Sequence, residues 1–238
     1  MKKKNLFQSI SVLLMMLVFS MAFIPAVNAE VDLKYQEKMY EKALENVEIL
    51  YDSPDEKISL VKTGDDSVLY LIARPDVQDE SKTNFAFVKQ EDLISKTDFV
   101  VTDFKDSKNI KDSKDVVNSL SRAYYEFWDG SYIQTFGNNV TGGFYIYLSP
   151  DDAEFVFEDT GNVAGALAAL IAYAVPGIGT IAAGAVGALV KYGMKAYYKF
   201  GKAADDSITI TVLYAMIAAY IAGLPGYIQI GSLKYYWI

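Results

Sequence analysis

Cysteine and histidine are both absent from this 238-residue chain. Their absence removes the Ser-His-Asp triad and the Cys-His dyad. It also removes thiolate redox centres, His/Cys zinc sites and disulfide staples. Positive charge is scarce, with 22 Lys+Arg against 30 Asp+Glu and a net charge of −8. A general nucleic-acid binder would carry a basic stripe, so nucleic acid is not the expected partner. Chemistry is left to carboxylates, Lys, Tyr, Ser and Thr, and the expected role is non-enzymatic, with no cofactor and no metal. What the chain has is apolar residues: 52% hydrophobic and 14% aromatic. That is too much for a disordered chain, and the length suffices for one medium domain or two small ones.

Residues 1–29 read as a secretory signal peptide. Lys2, Lys3 and Lys4 form the charged head, Ile10 to Ile24 an apolar run, and Val27-Asn28-Ala29 a small-x-small cleavage pattern after Pro25. As an uncleaved membrane anchor the run is short. Cleavage after Ala29 leaves a secreted chain starting at Glu30 with a net charge of −11. The signal and the Lys-rich composition fit a Gram-positive source.

The mature chain divides by charge. From Glu30 to Asp159 there are 28 acids and 14 bases; from Thr160 to Ile238 there are two acids and five Lys. Such asymmetry predicts two regions, one addressed to an anionic surface. In the acidic part, Leu33, Tyr40, Ala43, Leu44, Val47 and Leu50 recur at helical spacing after Asp32. Ile58–Val61 and Val68–Ile72 predict two strands around Gly64-Asp65-Asp66, with further strands at Phe85–Val88 and Phe99–Phe104. Val116, Leu120, Ala123, Tyr124 and Phe127 predict an amphipathic helix.

Acidic clusters here have bland explanations. Asp103, Asp106, Asn109, Asp112 and Asp115 recur every three residues, but a calcium loop spaces its ligands by two and needs a Gly turn and a closing Glu. The interleaved Lys would repel a cation, so a solvated connection is the better reading. Asp65-Asp66, Asp151-Asp152 and Glu154 with Glu158 could supply a glycosidase pair, yet Glu154 and Glu158 share one helical face instead of flanking a bond.

The outstanding features are two uncharged runs, Thr160–Val190 and Ser207–Leu233. The first splits into two helical arms at Val175-Pro176-Gly177-Ile178-Gly179. Asn162–Val175 would make about 21 Å of helix, Gly179–Phe200 about 33 Å and Ile208–Leu224 about 25 Å, against a bilayer core of roughly 30 Å. Gly165 with Gly161 and Ala169, Gly184 with Ala188, and Gly187 with Ala183 stand four apart, a spacing that lets helix backbones approach closely. Lys191, Lys195 and Lys199 share a face at the end of the second arm, followed by Lys202 and flanked by Tyr192, Tyr197 and Tyr198. Ammonium groups beside amphipathic rings suit the headgroup boundary of anionic lipid. The competing reading makes the hairpin simply the core of a secreted domain.

Phe144–Leu148 has strand composition, and Ser149 precedes a helix opening on Pro150, Asp151 and Asp152. Gly226–Ile230 and Lys234–Ile238 read as closing strands. The fold expected is therefore α+β. A small N-terminal α+β domain over 30–135 is followed, over 136–238, by an Ala/Gly-rich hydrophobic helical hairpin module bracketed by short β-strands.

Gly143-Phe144-Tyr145-Ile146-Tyr147-Leu148-Ser149, the Ala/Gly helices about Val175–Gly179 and the final strand with its aromatic tail resemble large secreted bacteriocin-like proteins of Gram-positive bacteria, the geobacillin type. The resemblance covers residues 141–238. It implies a secreted antibacterial protein and brings no catalytic residue with it. The expected partner is the anionic membrane of a target bacterium, with a surface receptor or an immunity protein as protein partners. The alternative is a secreted binding or structural module that is indifferent to lipid.

Overall fold

Short stretches of β-branched and aromatic residues, separated by turns, assemble into one antiparallel sheet. The computed structural model describes residues 44–45, 47–62, 68–96, 113–138, 141–158, 160–175, 178–199 and 207–238, all within one compact unit, Glu37–Ile238. Its strands are β1 (Val47–Asp52), β2 (Lys57–Lys62), β3 (Val68–Pro75), β4 (Lys82–Lys89), β5 (Tyr132–Phe136), β6 (Gly143–Leu148), β7 (Ile208–Leu213), β8 (Gly226–Ile230) and β9 (Leu233–Trp237). Sheet order equals chain order, and each strand pairs antiparallel with the next. The described helices are α1 (Gln90–Lys96), α2 (Ser113–Phe127), α3 (Pro150–Glu158), α4 (Thr160–Ala174), α5 (Thr180–Lys199) and α6 (Tyr214–Ile221).

Two apolar layers form, one on each face of the sheet. The larger is lined from β2 to β9 by alternate residues such as Leu71, Phe85, Phe144, Ile210 and Ile228, and it encloses α4 and α5. The smaller lies on the opposite face of β2–β4, where Ile58, Leu60, Tyr70, Ile72, Ala86 and Val88 meet Leu93 of α1 and Leu120, Ala123 and Tyr124 of α2. On β5–β9 that second face carries no helix among the described residues.

The expected fold class is overturned. A nine-stranded sheet dominates, and the Ala/Gly hairpin packs inside it instead of forming a helical module bracketed by short strands. The expected boundary at 135/136 falls within β5, which bonds to β4 on one side and β6 on the other. Two local expectations change as well. Val47 and Leu50, placed on a helix by spacing, lie in β1. Ile208–Leu213, expected to open a helix, is β7; its alternation Ile-Thr-Ile-Thr-Val puts the apolar residues on the core face, and α6 begins only at Tyr214. Strand β5, not singled out by composition, pairs Ile133 with Ile146 and Tyr132 with Tyr147. The signal peptide, the turn at Gly64–Asp66 and the strand expected at Phe99–Phe104 lie outside the described residues.

Candidate functional site

The hairpin begins from a capped start. Ser149 follows β6, and its hydroxyl accepts the Asp152 backbone N–H at 3.2 Å. Pro150 at the first helical position sacrifices no needed donor. Asp152 itself is buried and accepts a hydrogen bond from the Ser131 hydroxyl, which in turn accepts the Ser149 N–H at 2.9 Å. Burial pushes the Asp152 carboxyl up to about 6, with Asp129 and Asp151 adding to the rise and the two serine hydrogen bonds opposing it. This carboxyl ties the start of α3 to the start of β5.

Helix α4 is sheathed on all sides. Every residue from Val163 to Ile171 is buried, including Gly165, and Val175 closes the arm in the same core. Its neighbours are β1–β3 below and α5 alongside. The α4–α5 crossing is close because Gly187 has no side chain: a Cβ there would sit 2.5 Å from the Ala164 carbonyl oxygen and 3.1 Å from the Ala168 methyl. Gly184 is buried beside it, whereas Gly179 is exposed just before α5. Farther along α5, a Cβ on Gly193 would stand 2.7 Å from Ile228 Cγ2, so the helix also presses onto β8. Pro176 and Gly177 lie outside the described residues.

The cationic end of α5 is solvated. Lys191, Lys195 and Lys199 are all exposed, and none makes an ion pair with a described carboxylate. Tyr192 is exposed and donates its hydroxyl to the Tyr236 carbonyl of β9. Tyr197 is half-buried and meets Tyr235 edge-on, ring centres 6.4 Å apart. Lys202 lies outside the described residues, as does the Tyr198 side chain. The structure thus places Gly187 in the α4–α5 crossing, buries Gly165 and Gly184, and leaves the lysines on one open stripe.

Of the other carboxylates, Glu56, Asp76 and Asp79 are engaged within the fold. Asp151 and Glu154 are exposed on α3, and Asp65-Asp66 lies outside the described residues. Glu56 is bonded by Arg74 Nε at 2.8 Å and by the Ser121 hydroxyl at 2.8 Å, while the Arg74 guanidinium lies against the rings of Tyr124 and Tyr125 at 4.4 and 4.3 Å. This knot clips α2 to the sheet. Asp76 is held below the usual carboxylate range by the Gln78 N–H and the Asn84 amide. Asp79 is lowered chiefly by the Ser81 hydroxyl, and it also accepts the Gln134 amide, so this turn latches β4 to β5. Among the described residues no group of three or more Asp or Glu is placed to hold a metal ion.

One surface was missed by sequence reasoning. The open face of β5–β9 is lined by tyrosine: Tyr132 stacks on Tyr147 at 5.1 Å, Phe136 on Tyr145 at 4.3 Å, and Tyr227 leans on Tyr236 at 5.6 Å. Alternation of Phe144, Ile146 and Leu148 with Tyr145 and Tyr147 was the available signal. The chain matches no family model, no curated protein and no solved structure.

Proposed function

We propose that this is a secreted, non-enzymatic antibacterial protein of bacteriocin-like type that acts on the anionic membrane of a target bacterium, holding its membrane-active hairpin α4–α5 as its own core until it meets lipid. The observation that carries this reading is the way the hairpin is built in. Helix α4 bears no charge, is apolar all round, and joins α5 through the small-residue crossing at Gly187, so the pair's own contacts survive removal from the sheet. The hairpin is also inserted between β6 and β7, which are hydrogen-bonded neighbours, and it can leave without breaking the strand order. Lys191, Lys195 and Lys199 remain open to attract anionic headgroups, each contributing on the order of 1 kcal/mol near the surface.

No helix among the described residues is long and apolar enough to cross a membrane. Helix α4, with 15 residues, spans about 22 Å, and α5, with 20, spans about 30 Å but carries three lysines in its second half. The released hairpin therefore lies in the interface and disorders the bilayer.

The absence of native cysteine permits a direct test. Gly193→Cys with Ile228→Cys faces two thiols across the α5–β8 contact, and oxidation would staple the hairpin into the sheet. The expected result is dye leakage from phosphatidylglycerol vesicles by the parent chain and by the reduced double variant, with the oxidised form silent. Equal leakage from the oxidised form would sink hairpin release. The tyrosine-lined open face favours a second reading, a binding module whose hairpin is only a core. That reading expects cooperative melting indifferent to lipid, and no leakage from any form.

A further inference from the structure

We infer that the β9 edge of the sheet, together with the exposed stripe of α5 beside it, is the surface this protein lays against anionic lipid. The inference rests on the membrane reading above and names the part of the molecule that makes first contact. Strand β9 ends the sheet: β8 pairs with one of its sides, and no described strand pairs with the other. Such an edge leaves backbone N–H and C=O groups that need water or another partner. In the headgroup layer they find both water and lipid oxygens.

Lysine and tyrosine flank this edge on both faces of the sheet. On the helix side, Tyr192 of α5 bonds the Tyr236 carbonyl, and the exposed Lys195 lies one turn further along the same side of the helix. On the open side, Lys234 stands 4.2 Å from the ring centre of Tyr227, and Tyr236 is 64% exposed. Leu224 and Leu233 add an exposed apolar rim. Helix α5 and strands β8 and β9 contain Lys191, Lys195, Lys199 and Lys234 and no acidic side chain.

The opposite edge of the sheet has a different character. On β1, Glu48 and Asp52 face Lys62 and Lys57 of β2, with Asp52 and Lys57 2.9 Å apart, so charge there is matched. Among the described residues, the β9 edge is the one with unmatched positive charge and amphipathic rings. This is the combination that suits a negatively charged interface. A second copy of the chain is the other natural occupant of a free edge, but pairing β9 with β9 would set two lysine-rich edges side by side. Charge complementarity therefore selects lipid.

Trp237 makes the test direct, because it lies in β9 and the only other tryptophan is Trp128. In the mature chain, Trp128→Phe leaves Trp237 as the sole indole, and Trp237→Phe leaves Trp128. Each is titrated with phosphatidylglycerol or phosphatidylcholine vesicles containing lipid brominated near the top of the acyl chain, and association is followed separately by co-sedimentation. The expected result is quenching of Trp237 by anionic vesicles alone, with Trp128 unaffected. Lys191→Glu, Lys195→Glu and Lys234→Glu together should weaken association roughly tenfold or more while the melting transition is kept.

Association with quenching of Trp128 and not Trp237 would overturn the edge assignment and leave the membrane reading standing. Association that survives the triple charge reversal would do the same. Absence of association with either vesicle would remove both. Dimerisation by sedimentation velocity that the triple reversal changes, without lipid association, would assign the edge to a second copy and overturn the proposal.

Discussion

Strands β2–β4 and strands β5–β9 belong to one sheet but live in different environments. The first group has helices on both faces, the hairpin on one and α1 with α2 on the other. The second group has the hairpin on one face and solvent on the other. The sequence records the difference strand by strand. Two-sided burial gives unbroken apolar runs, Val-Leu-Tyr-Leu-Ile-Ala in β3 and Phe-Ala-Phe-Val in β4. One-sided burial gives alternation, Ile-Thr-Ile-Thr-Val in β7 and Phe-Tyr-Ile-Tyr-Leu in β6. Helical cover also costs adaptability, since it occupies the face that the C-terminal strands keep open.

Neighbouring residues on one strand make the comparison sharp. On β3, Leu71 and Ile72 point to opposite faces, and both are buried; on β6, Phe144 is buried and Tyr145 is exposed. In urea titrations Phe144→Ala should cost about 4 kcal/mol and Leu71→Ala and Ile72→Ala about 3 kcal/mol each, whereas Tyr145→Ala costs about 1 kcal/mol or less. A large loss at Tyr145 would mean that the open face is covered.

The outer cover of β2–β4 can be loosened selectively. Arg74→Met leaves Glu56, 11% exposed at its side chain, without its cation. A loss of about 3 kcal/mol is expected, and adding Glu56→Gln should recover much of it because the stranded charge disappears. Amide exchange should accelerate in α2 and leave α4 protected. Equal acceleration in α4 would show that the two layers open together.

A third prediction concerns the entry to the hairpin. The Asp152 carboxyl titrates higher in the folded chain than in the unfolded one, so the folded state binds more protons between the ordinary aspartate value of 3.8 and about 6. Stability attributable to this group is therefore present at low pH and falls as pH rises through that window, by about 3 kcal/mol in all. Asp152→Asn should flatten the fall and raise stability at pH 8. An unchanged pH profile would place the buried charge elsewhere. The sign matters for the membrane reading, because acid strengthens this anchor and the trigger must lie in lipid contact.

The smallest effect is expected at Tyr70. Its hydroxyl is buried with no partner among the described residues, and burial pushes it up to about 12. Tyr70→Phe should be neutral or stabilise by about 1 kcal/mol, read as a higher Tm. A clear loss would reveal a partner for the hydroxyl.

Much of this architecture was legible locally. The helix over Val116–Phe127, the strands at Ile58–Val61 and Val68–Ile72, the cap at Ser149 and the hairpin break near Val175 each carry their own signal of period, capping or turn chemistry. What was not legible is what joins them. Leu44, Val47 and Leu50 fit a helical face as well as a strand until β2 supplies partners for Val47–Asp52. Ile208–Leu213 continues an uncharged stretch, and hydropathy concealed its two-residue alternation. That one sheet runs through both the acidic and the apolar region depends on pairing between β6 and β7, residues far apart in the chain. The lysine stripe was legible as a stripe, but its juxtaposition with β9 arises from the packing of Gly193 on Ile228.

The sequential strand order has a kinetic consequence. Most neighbours in the sheet, β3 with β4 or β8 with β9, are joined by short connections and can pair soon after they are made. Strand β6 cannot. Its partner β7 comes only after residues 149–207, so the closure that shuts the hairpin inside is the longest in the described sheet. Closing a longer loop costs only slowly increasing entropy, but it must be met before the contacts that reward it form. During folding the chain therefore passes through a stage in which β1–β6 can be paired while the greasy helices still lack β7. That stage is the most exposed one, when a chaperone or a protease has access to what the finished fold conceals.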